Sequence, residues 1–234
     1  MNKTSSALSF FDHLDELRSR IIKSFFAFLI GSFIFYNFTD YWLIFLIKPI
    51  GKVFFISPSD AFAAKFSLTF LGGFFISLPI ILYQIWKFIY SGLNQKEKNF
   101  VLIYAPLSFL FFILGVLFGY FIMIPISLQF FLSFSSDMMV PMITIDKYIS
   151  FIMTFVVGFG VTFELPLILV FLARIGIASP AFLREKRRYA IVLILIVSAI
   201  LTPPDVMSQL LMAAPLLLLY EISIFACALT YRSR

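Results

Sequence analysis

Tyr148-Ile149-Ser150-Phe151-Ile152-Met153-Thr154-Phe155-Val156-Val157-Gly158-Phe159-Gly160-Val161-Thr162-Phe163-Glu164-Leu165-Pro166-Leu167-Ile168-Leu169-Val170-Phe171-Leu172 is a 25-residue apolar run interrupted only by Ser150, Thr154, Thr162 and Glu164. A helix of about 20 apolar residues crosses the hydrocarbon of a bilayer, so this stretch reads as a membrane span and sets the class of the fold. Glu164 lies inside it. A carboxyl at that depth is expensive unless it meets a partner or a water-filled cavity, which makes Glu164 the first candidate functional residue.

The remaining chain agrees. Hydrophobic residues make up 62% of the 234 positions, charged residues 13%, and the mean hydropathy is +1.03, well beyond what a soluble domain uses to fill its core. Further apolar runs extend over Ile21 to Phe38, Phe66 to Trp86 and Phe100 to Ile124; two shorter ones, Tyr189 to Leu201 and Val206 to Tyr220, are separated by Thr202-Pro203-Pro204-Asp205. The expectation is an all-α membrane protein of six transmembrane helices, the last two short. The spans are placed at about 21–42, 66–90, 100–125, 148–172, 189–202 and 206–226 of a single polytopic domain covering 1–234.

Basic residues orient it. With the N-terminus inside, cytoplasmic segments hold 14 of the 18 Lys and Arg, while Lys48, Lys52, Lys65 and Lys147 fall outside. That asymmetry predicts cytoplasmic N- and C-termini. It also accounts for the +6 net charge through topology and lipid phosphates, with no support for nucleic-acid binding. Acids before the first span and bulky residues after it argue against a cleavable signal peptide. Cys227 is the only cysteine and His13 the only histidine, so neither an internal disulfide nor a metal site is expected.

Ahead of the first span, Phe10, Leu14, Leu17 and Ile21 recur at helical spacing with charged residues on the other face. Residues 1–20 are thus expected to carry a cytoplasmic amphipathic helix, in which a Glu16–Arg20 pair at i, i+4 suits a plain interfacial anchor. The short fifth and sixth helices would sit in locally thinned lipid or behind partner subunits.

His13-Leu14-Asp15-Glu16-Leu17-Arg18-Ser19-Arg20 resembles the HLxELRxR signature that opens TatC, the multispanning receptor subunit of the twin-arginine protein translocase. Further motifs follow in that family's order: Lys48-Pro49, the Pro79 to Phe88 segment, Gln95-Lys96-Glu97-Lys98, Gly158 to Pro166, and Leu201 to Gln209. One departure is Ser91-Gly92, where the family usually has a proline before the first cytoplasmic loop. The resemblance implies a concave bundle without enzymatic activity or cofactor. It implies twin-arginine signal peptides as ligands, single-span TatA and TatB as partners, and self-association in a receptor complex. Bacterial inner membranes are the favoured setting, with thylakoid or mitochondrial membranes as alternatives.

Carried over residue by residue, the resemblance assigns signal binding to Glu16 and Glu97, with Phe88 and Arg18 beside them. Carboxylates are the natural bidentate acceptors for a pair of guanidinium groups, and a few acids in a basic surface select better than a uniformly acidic one would. Glu97 could equally be a loop acid paired with Lys96 or Lys98, and Phe88 an interfacial aromatic. Glu164, with Thr162 and Gln209, forms the expected intramembrane polar site for a partner helix, unless Glu164 is satisfied within its own bundle. Pro49, Pro79, Pro203, Pro204 and Asp205 read as structural, Asp205 as a cap on the sixth helix. The rival class is a proton-coupled secondary transporter using Glu164, though the internal repeats of such folds are missing. An intramembrane protease lacks its nucleophile, metal or aspartate pair.

Reporter fusions after Asn94 and Leu183 should read cytoplasmic, and fusions near Pro58, Pro141 and Pro204 external. A cytoplasmic signal from the Pro141 fusion would break the six-span topology.

Overall fold

A computed structural model of the protein describes residues 10–136, 140–202 and 206–232. The order is α1 Phe10–Tyr36, α2 Thr39–Ile47, α3 Pro58–Ser91, α4 Gln95–Phe118, a π-turn Gly119–Met123, α5 Ile124–Leu132, α6 Ile145–Thr162, α7 Glu164–Arg174, α8 Pro180–Glu185, α9 Arg187–Leu201 and α10 Val206–Arg232. Five stretches among the described residues are long and apolar enough to span a bilayer: His13–Tyr36, Pro58–Ser91, Glu97–Leu132, Ile145–Arg174 and Val206–Thr230. Helices satisfy their own backbone, which is what hydrocarbon demands.

The amphipathic segment and the first span are one helix. Nothing between Phe10 and Ile30 breaks the ladder, since neither Gly nor Pro occurs there. α1 packs along α3, and the two backbones close at Gly31 and Gly73, where a β-carbon on Gly31 would come 2.6 Å from the Gly73 carbonyl oxygen. No larger residue fits such an approach. At the far end Ser57 and Asp60 form a capping box that starts α3, with Asp60 Oδ2 accepting from the Ser57 N–H at 2.9 Å. Pro79 lies inside α3, while Pro49 lies in the turn after α2.

Two interruptions shape the middle of the bundle. The π-turn precedes Pro125, which has no N–H to give to the ladder. In the segment expected to be a single helix from 148 to 172, the chain turns at Phe163 and restarts as α7. Pro166 lies in the first turn of α7, where a missing N–H is tolerated, and its absent donor leaves the Thr162 carbonyl without its usual intrahelical partner. α6 is the centre of the core: Ile149, Ile152, Phe155 and Phe159 are essentially fully buried. The Gly115 and Gly119 backbones lie directly against the Phe159 and Phe155 carbonyls.

Polar ties close the end opposite the basic residues. Thr39 and Thr69 hydroxyls meet at 2.9 Å, and the Tyr148 hydroxyl donates to the Leu46 carbonyl at 2.8 Å. An isolated parallel bridge joins Phe54 to Thr144.

The expectation of two short final helices holds for α9 and fails for α10. α9 has 15 residues and rises only ~22 Å, short of the ~30 Å hydrocarbon core. α10 has 27 residues, a rise of ~40 Å. The apolar run stops at Glu221, but the helix does not, because the Glu221 carboxylate accepts from Arg187 of α9 at 2.6 Å and apolar residues resume at Ile222. Pro203, Pro204 and Asp205, including the cap expected from Asp205, lie outside the described residues.

Candidate functional site

The start of α1 folds against the end of α3. The His13 ring stacks on Phe88, with centroids 4.6 Å apart and planes 26° from parallel. Glu16 Oε1 accepts from Arg20 Nη2 at 2.8 Å, the i, i+4 pair read from the sequence. Arg20 Nη1 also donates across to Gln84 Oε1 of α3 at 3.1 Å. Glu16 and Phe88 thus belong to one cluster with His13, Arg20 and Gln84. Arg18 and Asp15 are exposed on the other side of α1 and make no ion pair with each other. Below this cluster, a cavity of about 510 Å³ opens between α1 and α3, with Leu17, Ile21, Phe25 and Phe28 on one wall and Phe74 and Ile85 on the other.

The Ser91-Gly92 departure leaves the turn intact. Gly92 has φ −86° and ψ −4°, an ordinary right-handed conformation, and its N–H donates to the Ile89 carbonyl at 3.1 Å. Ser91 Oγ donates to the Phe88 carbonyl at 2.7 Å, so the helix ends on its own groups.

Glu97 lies not in a loop but in the first turn of a helix. It is the third residue of α4 and closes a capping box: its Oε2 accepts from the Asn94 backbone N–H at 3.1 Å and from Asn94 Nδ2 at 3.4 Å. Lys98 turns instead to Tyr90, with its ammonium 5.0 Å from the ring centroid. Only Gly92, Leu93 and Asn94 separate α3 from α4, so Glu97 starts the helix that follows directly on the Phe88 turn.

Glu164 forms a separate centre. It opens α7, where the partial positive charge of a helix N-terminus favours a carboxylate, and it is 8% exposed. Ser108 Oγ of α4 donates to its Oε2 at 2.9 Å; its Oε1 is buried and meets no hydrogen-bond donor among the described residues. Thr162 is bonded back to its own helix, its hydroxyl donating to the Gly158 carbonyl at 2.7 Å. Gln209 Nε2 donates to the Leu195 carbonyl at 3.0 Å and ties α10 to α9. Eleven residues of α4 separate Glu97 from Ser108, a rise of ~16 Å, and the packed rings of Trp86, Tyr104 and Phe171 lie on that stretch. The two polar centres are therefore distinct.

Ser108, Gln84 and the Arg187–Glu221 pair escaped the sequence reading. The available signal was a polar residue inside an apolar run, but neither serine nor glutamine is rare enough in spans to stand out. Among the described residues no three His, Cys, Asp or Glu side chains gather as a metal site would require.

A polytopic helical membrane protein with one acid at a helix break and a second acid cluster where α1 meets α3 defines a narrow class. The family model for the Sec-independent protein translocase protein (TatC) matches residues 12–215. The chain is 45% identical over 223 residues to a Sec-independent protein translocase protein TatC of Carboxydothermus hydrogenoformans, covering 93% of this chain and 92% of that one. It is 42% identical over 231 residues to the TatC of Aquifex aeolicus, covering 95% and 96%. A crystal structure of the twin-arginine translocase receptor TatC superposes with a TM-score of 0.86 at 42% identity, covering 93% of this chain and 99% of that one. The chain belongs to the TatC family.

Ser108 supplies the hydrogen bond seen at Glu164. Ser108→Ala should lower stability by roughly 1–3 kcal/mol, because it strips a buried carboxyl of its donor. The thermal midpoint of unfolding in detergent measures this. An unchanged midpoint would show that Glu164 is satisfied from elsewhere.

Proposed function

We propose that this chain is the receptor subunit of a twin-arginine translocase in a bacterial inner membrane. It holds the paired arginines of a signal peptide through Glu16 and Glu97, and it receives TatA- and TatB-type single-span helices near Glu164 as folded cargo is exported. The observation that carries the reading is that the apolar cavity between α1 and α3 is lined by Phe88 and by Arg20, the residue that the partly exposed carboxylate of Glu16 holds. A carboxylate above an apolar trough matches a ligand whose guanidinium pair is followed by an apolar segment. Arg18, exposed on the side of α1 away from Glu16, serves lipid phosphate.

At the second centre the buried Oε1 of Glu164 offers a lone acceptor to a polar group on another helix, an attraction that hydrocarbon strengthens. Thr162 and Gln209 support the local backbone there and between α9 and α10.

Glu16→Gln and Glu97→Ala should each weaken binding of a twin-arginine peptide by roughly 1.5–3 kcal/mol, the range for hydrogen bonds to charged groups. Because Glu97 also caps α4, Asn94→Ala serves as its control: it removes the amide side of the box and keeps the carboxylate. Peptide titration of the protein in nanodiscs measures all three, and wild-type affinity in both acid variants would end the assignment.

Glu164→Ala should retain peptide binding yet reduce site-specific crosslinking to the single-span subunits and reduce export. Wild-type crosslinking and export would remove Glu164 from the partner interface.

A further inference from the structure

Glu16, the acid proposed to receive a signal arginine, already holds one of the protein's own. Arg20 reaches it at 2.8 Å in the charge-assisted geometry that an incoming guanidinium would need. The pair is not a loose surface contact, since the side chains are only 15% and 22% exposed. Yet Arg20 is incompletely served. Its Nη1 reaches Gln84, but its Nε is buried and meets no acceptor among the described residues. An arginine has five N–H donors, and one left unmatched in a covered position weakens its hold on the site.

We infer that Arg20 sets the affinity of the signal site, as a resident competitor that a signal arginine must displace from Glu16. This inference rests on the proposed role of Glu16. Gln84 makes the exchange feasible: its neutral oxygen holds Arg20 by a second bond, so the guanidinium keeps a partner on α3 after Glu16 changes hands.

The consequence for binding follows from competition. Apparent affinity falls by the fraction of time that Glu16 is unavailable. An ion pair this close to the surface is worth the modest amount typical of such pairs, so the reduction amounts to roughly two- to sixfold. The reduction applies only to ligands that use Glu16. A peptide that contacts the surface elsewhere has no reason to move Arg20 and meets no such penalty. Arg20 thereby lowers the affinity of every ligand that uses the carboxylate by the same factor, so that a ligand holding Glu16 alone is bound weakly and one with further contacts in the cavity is still retained.

The test is a double-mutant cycle on the full chain in nanodiscs, titrated with a fluorescent synthetic twin-arginine peptide. Arg20→Gln should tighten binding by roughly two- to sixfold. The same substitution in a Glu16→Gln background should produce no gain, because no carboxylate remains to be released. Arg18→Gln controls for the loss of any nearby cation; its effect should be smaller and should persist in the Glu16→Gln background. Arg20→Lys, which keeps the charge without the fork, should lie between wild type and Arg20→Gln, and thermal unfolding of each variant identifies any that misfold. Weaker binding in a folded Arg20→Gln protein would show that Arg20 orients Glu16 for the ligand, and unchanged binding would show that the pair is only structural; either result overturns the inference. Glu16→Gln with wild-type affinity would instead overturn the signal site itself, a result readable without reference to Arg20.

Discussion

Hydrocarbon supplies no hydrogen bonds, and this constraint organises the whole molecule. Backbone groups are met by helices, and where a helix is interrupted the freed groups must be placed with care. The break at Phe163 shows how much depends on it. It allows Pro166 to sit in a first helical turn, and it turns Glu164 from a mid-span carboxyl into the opening residue of α7, facing Ser108 of α4. The same region is packed so tightly, with the Gly115 backbone against the Phe159 carbonyl, that α4 and the α6–α7 unit behave as a common support. Placing a charge-bearing side chain on such a support keeps its one free oxygen in a defined position.

The basic end obeys a different balance. Charges there are near water, so individual ion pairs are weak and exchangeable. Glu16 is shared with Arg20, Glu97 is engaged with Asn94, and Glu221 with Arg187. Both acids assigned to signal binding are therefore tied into the fold before any ligand is considered. Such ties hold the carboxylates in place at small energetic expense. Glu164 sits in the opposite regime, deep and half-satisfied, where a new hydrogen bond changes more and exchange is harder.

Much of this was legible in the residues. Apolar runs marked the helical spans, although the last was read as short, and the spacing of Phe10, Leu14, Leu17 and Ile21 marked the helix before the first span. The i, i+4 spacing of Glu16 and Arg20 revealed their pairing. Glu164 stood out because a carboxyl inside an apolar run is rare. The sequence placed Glu221 inside the last span without showing what meets it: a partner from a distant helix neutralises it in the fold. Arg187, which does so, lies 34 positions earlier.

By itself the sequence determined the solvent, the helical class, the amphipathic face of the helix before the first span and the identity of the unusual acids, because these depend on composition and on periodicities within single elements. Only the tertiary structure decided which partners those acids have. Ser108 meets Glu164 across 56 positions, and Gln84 meets Arg20 across 64. Glu97 turned out to be a cap rather than a free loop acid, through the angle at which Asn94 enters α4. Hydrogen bonds are short and directional, so their partners are set by how helices cross, and crossing is set by the glycine contacts of α1 with α3 and of α4 with α6.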